Sequence, residues 1–233
     1  MSFVDLKNEP AELPSNQRFL AGAEARRTAL AGGFYTHYGK RLLDITLVLL
    51  AAPAVLAVAV VIAVLVSLDG SAPIFRQLRV GRHGRLFRMW KFRSMVPEAE
   101  VMLRAHLVKY PAAAAEWHHY QKLKQDPRIT RVGAVLRRTS LDELPQLWNV
   151  LKGEMSLVGP RPMLPDQQAL YPGQAYYSLR PGLTGPWQVS DRNACGFADR
   201  AGFDSRYVAE MSLGTDLRLI GATLPVVAKA SGH

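Results

Sequence analysis

Two carboxylates, Asp142 and Glu143, stand side by side just after Arg137 and Arg138 in "LRRTSLDELPQLWNVLKGEMSLVGPRPM". Adjacent acids can serve as a nucleophile with its partner, or as ligands for a hard divalent ion. They can also simply begin a helix, since Ser140 followed by Glu143 fits a capping box and acids favour the positive end of a helix dipole. Pro145 bears on this choice. If Ser140 were the cap, Pro145 would fall deep enough in the helix for its missing N–H to be felt. A start near Asp142 puts Pro145 in the tolerated first turn and leaves Asp142 itself as a cap. Both carboxylates would then sit at a helix N-terminus, where phosphate docks naturally. The helix ends at Gly153.

Basic residues recur around this pair in rigid settings. Arg161 is held between Pro160 and Pro162, Arg180 precedes Pro181-Gly182, and Arg192 follows Asp191. A planar guanidinium displayed from such a loop suits bidentate contact with phosphate oxygens, although an exposed arginine beside a Pro-Gly turn often serves only solubility. Lys91 and Arg93 alternate with aromatic Trp90 and Phe92 and are the best substrate contacts in their segment. The single cysteine, Cys195, excludes an internal disulfide framework and reads as a small apolar residue. His118 and His119 are adjacent, so on a helix they diverge and make a poor metal pair.

The elements that must position these groups begin with an uncharged apolar run from Ile45 to Leu68. It is long enough for a membrane helix. Pro53 lies inside it, and both flanks are basic: Lys40 and Arg41 before, Arg76, Arg79 and Arg82 after. Basic flanks mark the cytoplasmic side, so a helix that bends at Pro53 and returns to one face satisfies both. A plain span and a buried core helix are the alternatives. The stretch 72–95 alternates apolar and basic residues about Gly81-Arg-His-Gly84, as a β-hairpin does. Residues 97–124 read as a helix, Gly133 lies near a break, and the chain beyond Asp199 reads as helix with a surface-lying end. Residues 1–37 form an N-terminal tail without a secretory signal, 38–69 a membrane helix hairpin, and 70–233 the main domain. The formal charge of +10 points to an anionic partner. No nucleic-acid-binding signature accompanies it, so nucleic acid is not expected.

The ordered segments "KRLLDITL", "FRMWKFRSM", "DPRITRVG", "LRRTSLDELPQLWNVLKGEMSLVGPRPM", "LRPGLTGPWQVSDRN" and "FDSRYV" resemble the bacterial sugar transferase family, the small monotopic phosphoglycosyl transferases, over about residues 38–230. The resemblance implies an α+β, mainly helical fold: a Pro-kinked re-entrant membrane helix, a small cytoplasmic catalytic domain with interfacial helices, and a short β-hairpin. It implies transfer of a hexose 1-phosphate, galactose or glucose, from a UDP-sugar to a polyprenol phosphate such as undecaprenyl phosphate, with release of UMP, to initiate exopolysaccharide or glycoconjugate synthesis. Asp142 would be the nucleophile and Glu143 its partner, both at a Mg²⁺ ion. Lys91, Arg137, Arg161, Arg180 and Asp204 fall in substrate-binding motifs. Pro53 would mark the membrane bend, and the catalytic domain would lie on the cytoplasmic face of the bacterial inner membrane. Many relatives carry Ser-Pro at that bend where this chain has Ala52-Pro53. The alternative is a membrane-anchored basic module that binds anionic lipid or nucleic acid without catalysis. A homo-oligomeric state is left open.

Overall fold

The computed structural model describes residues 33–120, 123, 125–190 and 196–228. Most of the expected tail, Asp191, Arg192 and Cys195 lie outside the described residues. The chain is mainly helical. A π-helical turn at Tyr35–Gly39 leads into α1 (Lys40–Ser67), and β1 (Ile74–Val80) and β2 (Leu86–Phe92) form the expected two-stranded hairpin. Then follow α2 (Ala99–Lys109), α3 (Pro111–Tyr120), α4 (Arg131–Arg138), α5 (Gln146–Lys152) and β3 (Ser156–Val158). The last elements are α6 (Ala175–Ser178), β4 (Gly182–Thr184), α7 (Pro186–Val189), α8 (Arg200–Glu210) and α9 (Leu213–Ala228). β3 and β4 pair in parallel, with Ser156 opposite Gly182 and Val158 opposite Thr184, a contact absent from the sequence expectation.

Among the described residues, α1 with its lead-in is the one helix long and apolar enough to cross a membrane. Leu49, Leu50, Leu56, Val60, Val61 and Val64 are exposed on it, as on a helix that meets lipid. The assigned helix runs through Pro53.

The elements group into two compact units. One takes the residues up to Leu47, Gln77–Met89 and Asn149–Thr223. Its core is unusually rich in tyrosine: Tyr171, Tyr176 and Tyr177 pack edge to face with Val80 and Met163, and Tyr207 packs with Val158 and Leu179. Each phenol that goes inside needs a partner for its O–H. Tyr176 donates to the Val80 carbonyl at 2.5 Å, Tyr171 to Asp204 at 2.7 Å and Tyr207 to Asp216 at 2.6 Å. The start of α1 is fastened into this unit by polar contacts. Asp44 is buried and accepts from the Leu157 amide and the Ser156 hydroxyl, while Arg41 donates to the Val150 and Leu151 carbonyls that end α5.

The other unit takes Val48–Arg76, Trp90–Trp148 and the residues from Leu224. Ile62 and Val66 of α1 pack with Phe92 and Leu136, and Leu141 and Leu144 lie against this cluster. Arg93, read from sequence as a substrate contact, instead closes α1: it pairs with both Asp69 oxygens at 2.6 Å and donates to the Val66 carbonyl. The helix expected over 97–124 is interrupted between α2 and α3. Pro111 disfavours helical geometry at Tyr110, which is extended.

Gly133 is not at a break. It lies inside α4, which is capped by Thr130 accepting from the Gly133 amide at 2.9 Å. The helix approaches the segment that follows β2 so closely that a Cβ on Gly133 would run into the Ser94 carbonyl, a backbone atom that cannot swing away. Gly133→Ala is therefore expected to lower stability by about 3 kcal/mol, seen as a lower midpoint in thermal unfolding of the micelle-bound protein. An unchanged midpoint would mean the helix can lift off at no cost.

Candidate active site

The acidic pair is carried by a 3₁₀ turn, Leu141–Glu143, ahead of α5. Ser140 adopts a left-handed conformation (φ 56°) and makes no capping bond, so no capping box forms. Pro145 ends the turn immediately before α5 begins at Gln146. The acids thus precede the α-helix rather than occupying its first turn, which corrects the helix start near Asp142 expected from sequence. Leu141 and Leu144, packed against the Phe92–Leu136 cluster, pin the turn on both sides of the pair.

Lys91 reaches this turn from β2. Its ammonium lies 2.6 Å from Glu143 Oε1 and 3.6 Å from Asp142 Oδ2, bridging the two acids. Asp142 is the more buried of the two. Burial pushes its carboxyl above the usual range, Lys91 and Arg137 pull it back, and Glu143 adds to the rise. Arg137 is itself held in place by α4, donating through Nε to the Ser94 hydroxyl at 2.8 Å. Burial lowers its pKa and the Asp142 charge opposes that. Lys91, Arg137, Asp142 and Glu143, chosen from separate stretches of sequence, therefore come together in one unit.

No group of three or more metal-ligating side chains occurs among the described residues. The pair alone still fits Mg²⁺, which keeps few protein ligands and completes its shell with phosphate oxygens and water. Asp142 and Glu143 would hold it, and a bound Mg²⁺ would neutralise charge on a diphosphate.

Arg161, Arg180 and Asp204 belong to the other unit. Arg161 lies over the Trp187 ring at 5.7 Å, sharing it with Arg200, which stacks at 4.1 Å and also lies over Phe197. Asp204 faces this group from α8. Burial raises its carboxyl to about 6, against the opposing effects of the Tyr171 hydrogen bond and Arg200. Arg200 is pushed down to about 10, first by burial and then by Arg161. Trp187 Nε1, Arg200 Nε and both polar atoms of the Gln188 amide are buried without a hydrogen-bond partner. These unpaired polar atoms are gathered beside two arginines. Sequence reasoning missed Arg200, Trp187 and Gln188. The i, i+4 spacing of Arg200 and Asp204 was a usable signal. Arg180 is elsewhere in the same unit, donating through Nε to the Gly153 carbonyl at 2.8 Å.

The profile of the bacterial sugar transferase family matches residues 35–230. The chain belongs to this family. It is 48% identical over 195 residues to the UDP-galactose-lipid carrier transferase of Erwinia amylovora, covering 83% of this chain and 41% of that protein. It is 50% identical over 169 residues to the undecaprenyl-phosphate galactose phosphotransferase of Salmonella typhimurium, covering 72% of this chain and 36% of the relative. It is 42% identical over 196 residues to the exopolysaccharide production protein ExoY of Sinorhizobium fredii, which it matches across 87% of that protein's length. The chain thus spans about four tenths of the first two relatives and most of the third.

The raised Asp204 carboxyl has a measurable consequence. Its folded pKa of about 6 exceeds the model-peptide carboxylate range, so the folded state binds more protons than the unfolded state between about pH 4 and pH 6. Stability contributed by the protonated form is then lost as pH rises through that window, by about 3 kcal/mol in all. Asp204→Asn should remove this loss, so the stability of the parent relative to the variant should fall between pH 4 and pH 7. Parallel unfolding curves for the two proteins across that range would show that Asp204 titrates as an ordinary carboxylate.

Proposed function

We propose that the protein transfers a sugar 1-phosphate, of galactose or glucose, from a UDP-sugar to polyprenol phosphate, releasing UMP. The observation that carries this reading is the Lys91-bridged pair of acids beside Arg137, in a chain of this family. A carboxylate oxygen of Asp142 attacks the phosphorus that bears the sugar, and the bond from that phosphorus to the UMP oxygen breaks. An aspartyl phosphosugar and UMP result. A phosphate oxygen of the polyprenol then attacks the same phosphorus, the acyl-phosphate bond breaks, and Asp142 is returned as carboxylate with polyprenol diphosphate sugar as product. Splitting one displacement between anions into two makes each easier. Lys91 and Arg137 offset the charge that gathers during both steps, and Glu143 keeps Lys91 in place. The resemblance assigns Arg161, Arg180 and Asp204 to substrate binding, and within their own unit Arg161 shares the Trp187 ring with Arg200.

Purified protein supplied with UDP-galactose or UDP-glucose, Mg²⁺ and undecaprenyl phosphate is expected to release UMP. Asp142→Asn should abolish release while leaving the unfolding midpoint close to that of the parent. Absence of UMP with every UDP-hexose would favour a basic membrane-anchored module without catalysis, and normal turnover of Asp142→Asn would remove the nucleophile role.

The same reading makes α1 re-entrant, entering and leaving on the cytoplasmic face of the inner membrane where UDP-sugars are made. Two observations support it. Arg41 and Asp44 near its start are hydrogen-bonded to residues 150–157, and Arg93 caps its end. No other helix among the described residues is long and apolar enough to return the chain across a bilayer. In a Cys195→Ser background, single cysteines replacing the exposed Tyr38 and Leu68 should both react with an impermeant maleimide added from the cytoplasmic side. Labelling of the two from opposite sides would establish a full span.

A further inference from the structure

A cavity of about 210 Å³ opens in the first unit where the chain enters α1. Four cationic side chains line it: Lys40 and Arg41 from the start of the helix, Arg82 from the hairpin turn, and Arg180 from the segment before β4. These residues come from three distant stretches of sequence, so the folded chain has been brought together against their mutual repulsion.

The charge is only partly answered from within. Lys40 is paired with the buried Asp216 at 2.7 Å. Arg41 is directed at the α5 carbonyls and Arg180 at the Gly153 carbonyl, contacts that satisfy N–H groups without neutralising a charge. Asp44 adds one carboxylate that acts on both Arg41 and Arg180. Arg82 has its Nε buried without a hydrogen-bond partner. Four cations thus face two carboxylates. Burial lowers the pKa of Arg180, and its neighbours Arg82 and Arg41 lower it further. His83, beside Arg82, is likewise held below its ordinary range, by burial and then by Arg82, Arg85 and Arg180. The potential in the cavity is therefore positive.

We propose that this cavity is an anion site that takes a phosphate monoester, bound by the Arg82 and Arg180 guanidinium groups and by Lys40. The geometry suits that class. Guanidinium forks match phosphate oxygens two at a time, and a doubly charged anion balances the two uncompensated cations. The cavity is wide enough for a phosphate group. Lys40 and Arg41, which line it, begin the apolar α1, so with that helix in a bilayer the cavity mouth would face the headgroup layer. A lipid phosphate monoester and a soluble phosphate compound present the same chemistry here. The site shares no residue with the Lys91–Asp142–Glu143 cluster, and its Arg180 is one of the residues that the resemblance assigns to substrate binding.

The test follows thermal unfolding of the full chain in micelles during titration with sodium phosphate, against sodium chloride at equal ionic strength. Phosphate should raise the midpoint saturably, and Arg82→Gln should raise the half-saturating concentration by about tenfold, while Arg82→Lys retains part of the affinity. In the parent protein, phosphate should also raise the pKa of His83 followed by NMR, a readout available should Arg82→Gln fail to fold. An equal phosphate response in parent and Arg82→Gln, or an unmoved His83 pKa, overturns the proposal. Vesicles of dioleoylphosphatidylcholine with or without dioleoylphosphatidic acid then identify the source. If phosphatidic acid abolishes the further effect of phosphate, the occupant is a lipid headgroup. If phosphate keeps its full effect, the occupant is a soluble phosphate compound.

Discussion

Two carboxylates next to each other in sequence cannot both be drawn out of water unless a positive charge is drawn in with them. That constraint shapes the unit that holds Asp142 and Glu143. The Lys91 ammonium bridges the pair, and removing such a partner would leave a buried charge uncompensated. Delivering Lys91 requires β2 to run past the turn with Phe92 turned into the core, because successive strand residues face opposite ways. Holding Arg137 beside the pair requires α4 to lie almost on the backbone of Ser94, and only a residue without a side chain permits that at Gly133. Leu141 and Leu144 then hold the turn by packing rather than by capping.

The first unit solves the converse problem of too many cations. Its arginines are answered by carbonyl oxygens, aromatic faces and a few buried acids. Arg41 ends α5, and Arg200 stacks on Trp187 and Phe197. The arrangement leaves polar atoms of Gln188, Trp187, Arg200 and Arg82 buried without partners, which a structural network would not tolerate at random. Such loose ends are where an anionic ligand finds donors already desolvated and oriented. Asp204 and Asp216 are kept among phenols and cations, so the tyrosine-rich packing and the charge balance are one feature.

Much of this was legible in the residues. The uncharged run with its basic flanks became α1, the alternation about Gly81–Gly84 became the hairpin, and Asp142, Glu143, Lys91 and Arg137 converged. Other features were misread because local patterns have more than one cause. The helix was expected to start near Asp142, yet a 3₁₀ turn carries both acids and the α-helix begins only at Gln146, after Pro145. Gly133 looks like a helix breaker, although its role is close approach to the Ser94 backbone. Pro111 divides the helix read over residues 97–124. Arg93, two residues from Lys91 and of the same charge, was claimed by the open end of α1.

The sequence by itself determined which chemical groups this protein has and which of them are covalent neighbours: an adjacent acid pair, arginines held by prolines, and an apolar helix with basic ends. Tertiary structure decided which charge answers which. Lys91 and Glu143 are 52 residues apart along the chain and 2.6 Å apart in space. Electrostatic and hydrogen-bonding energies depend on the second separation, and the first carries almost no information about it.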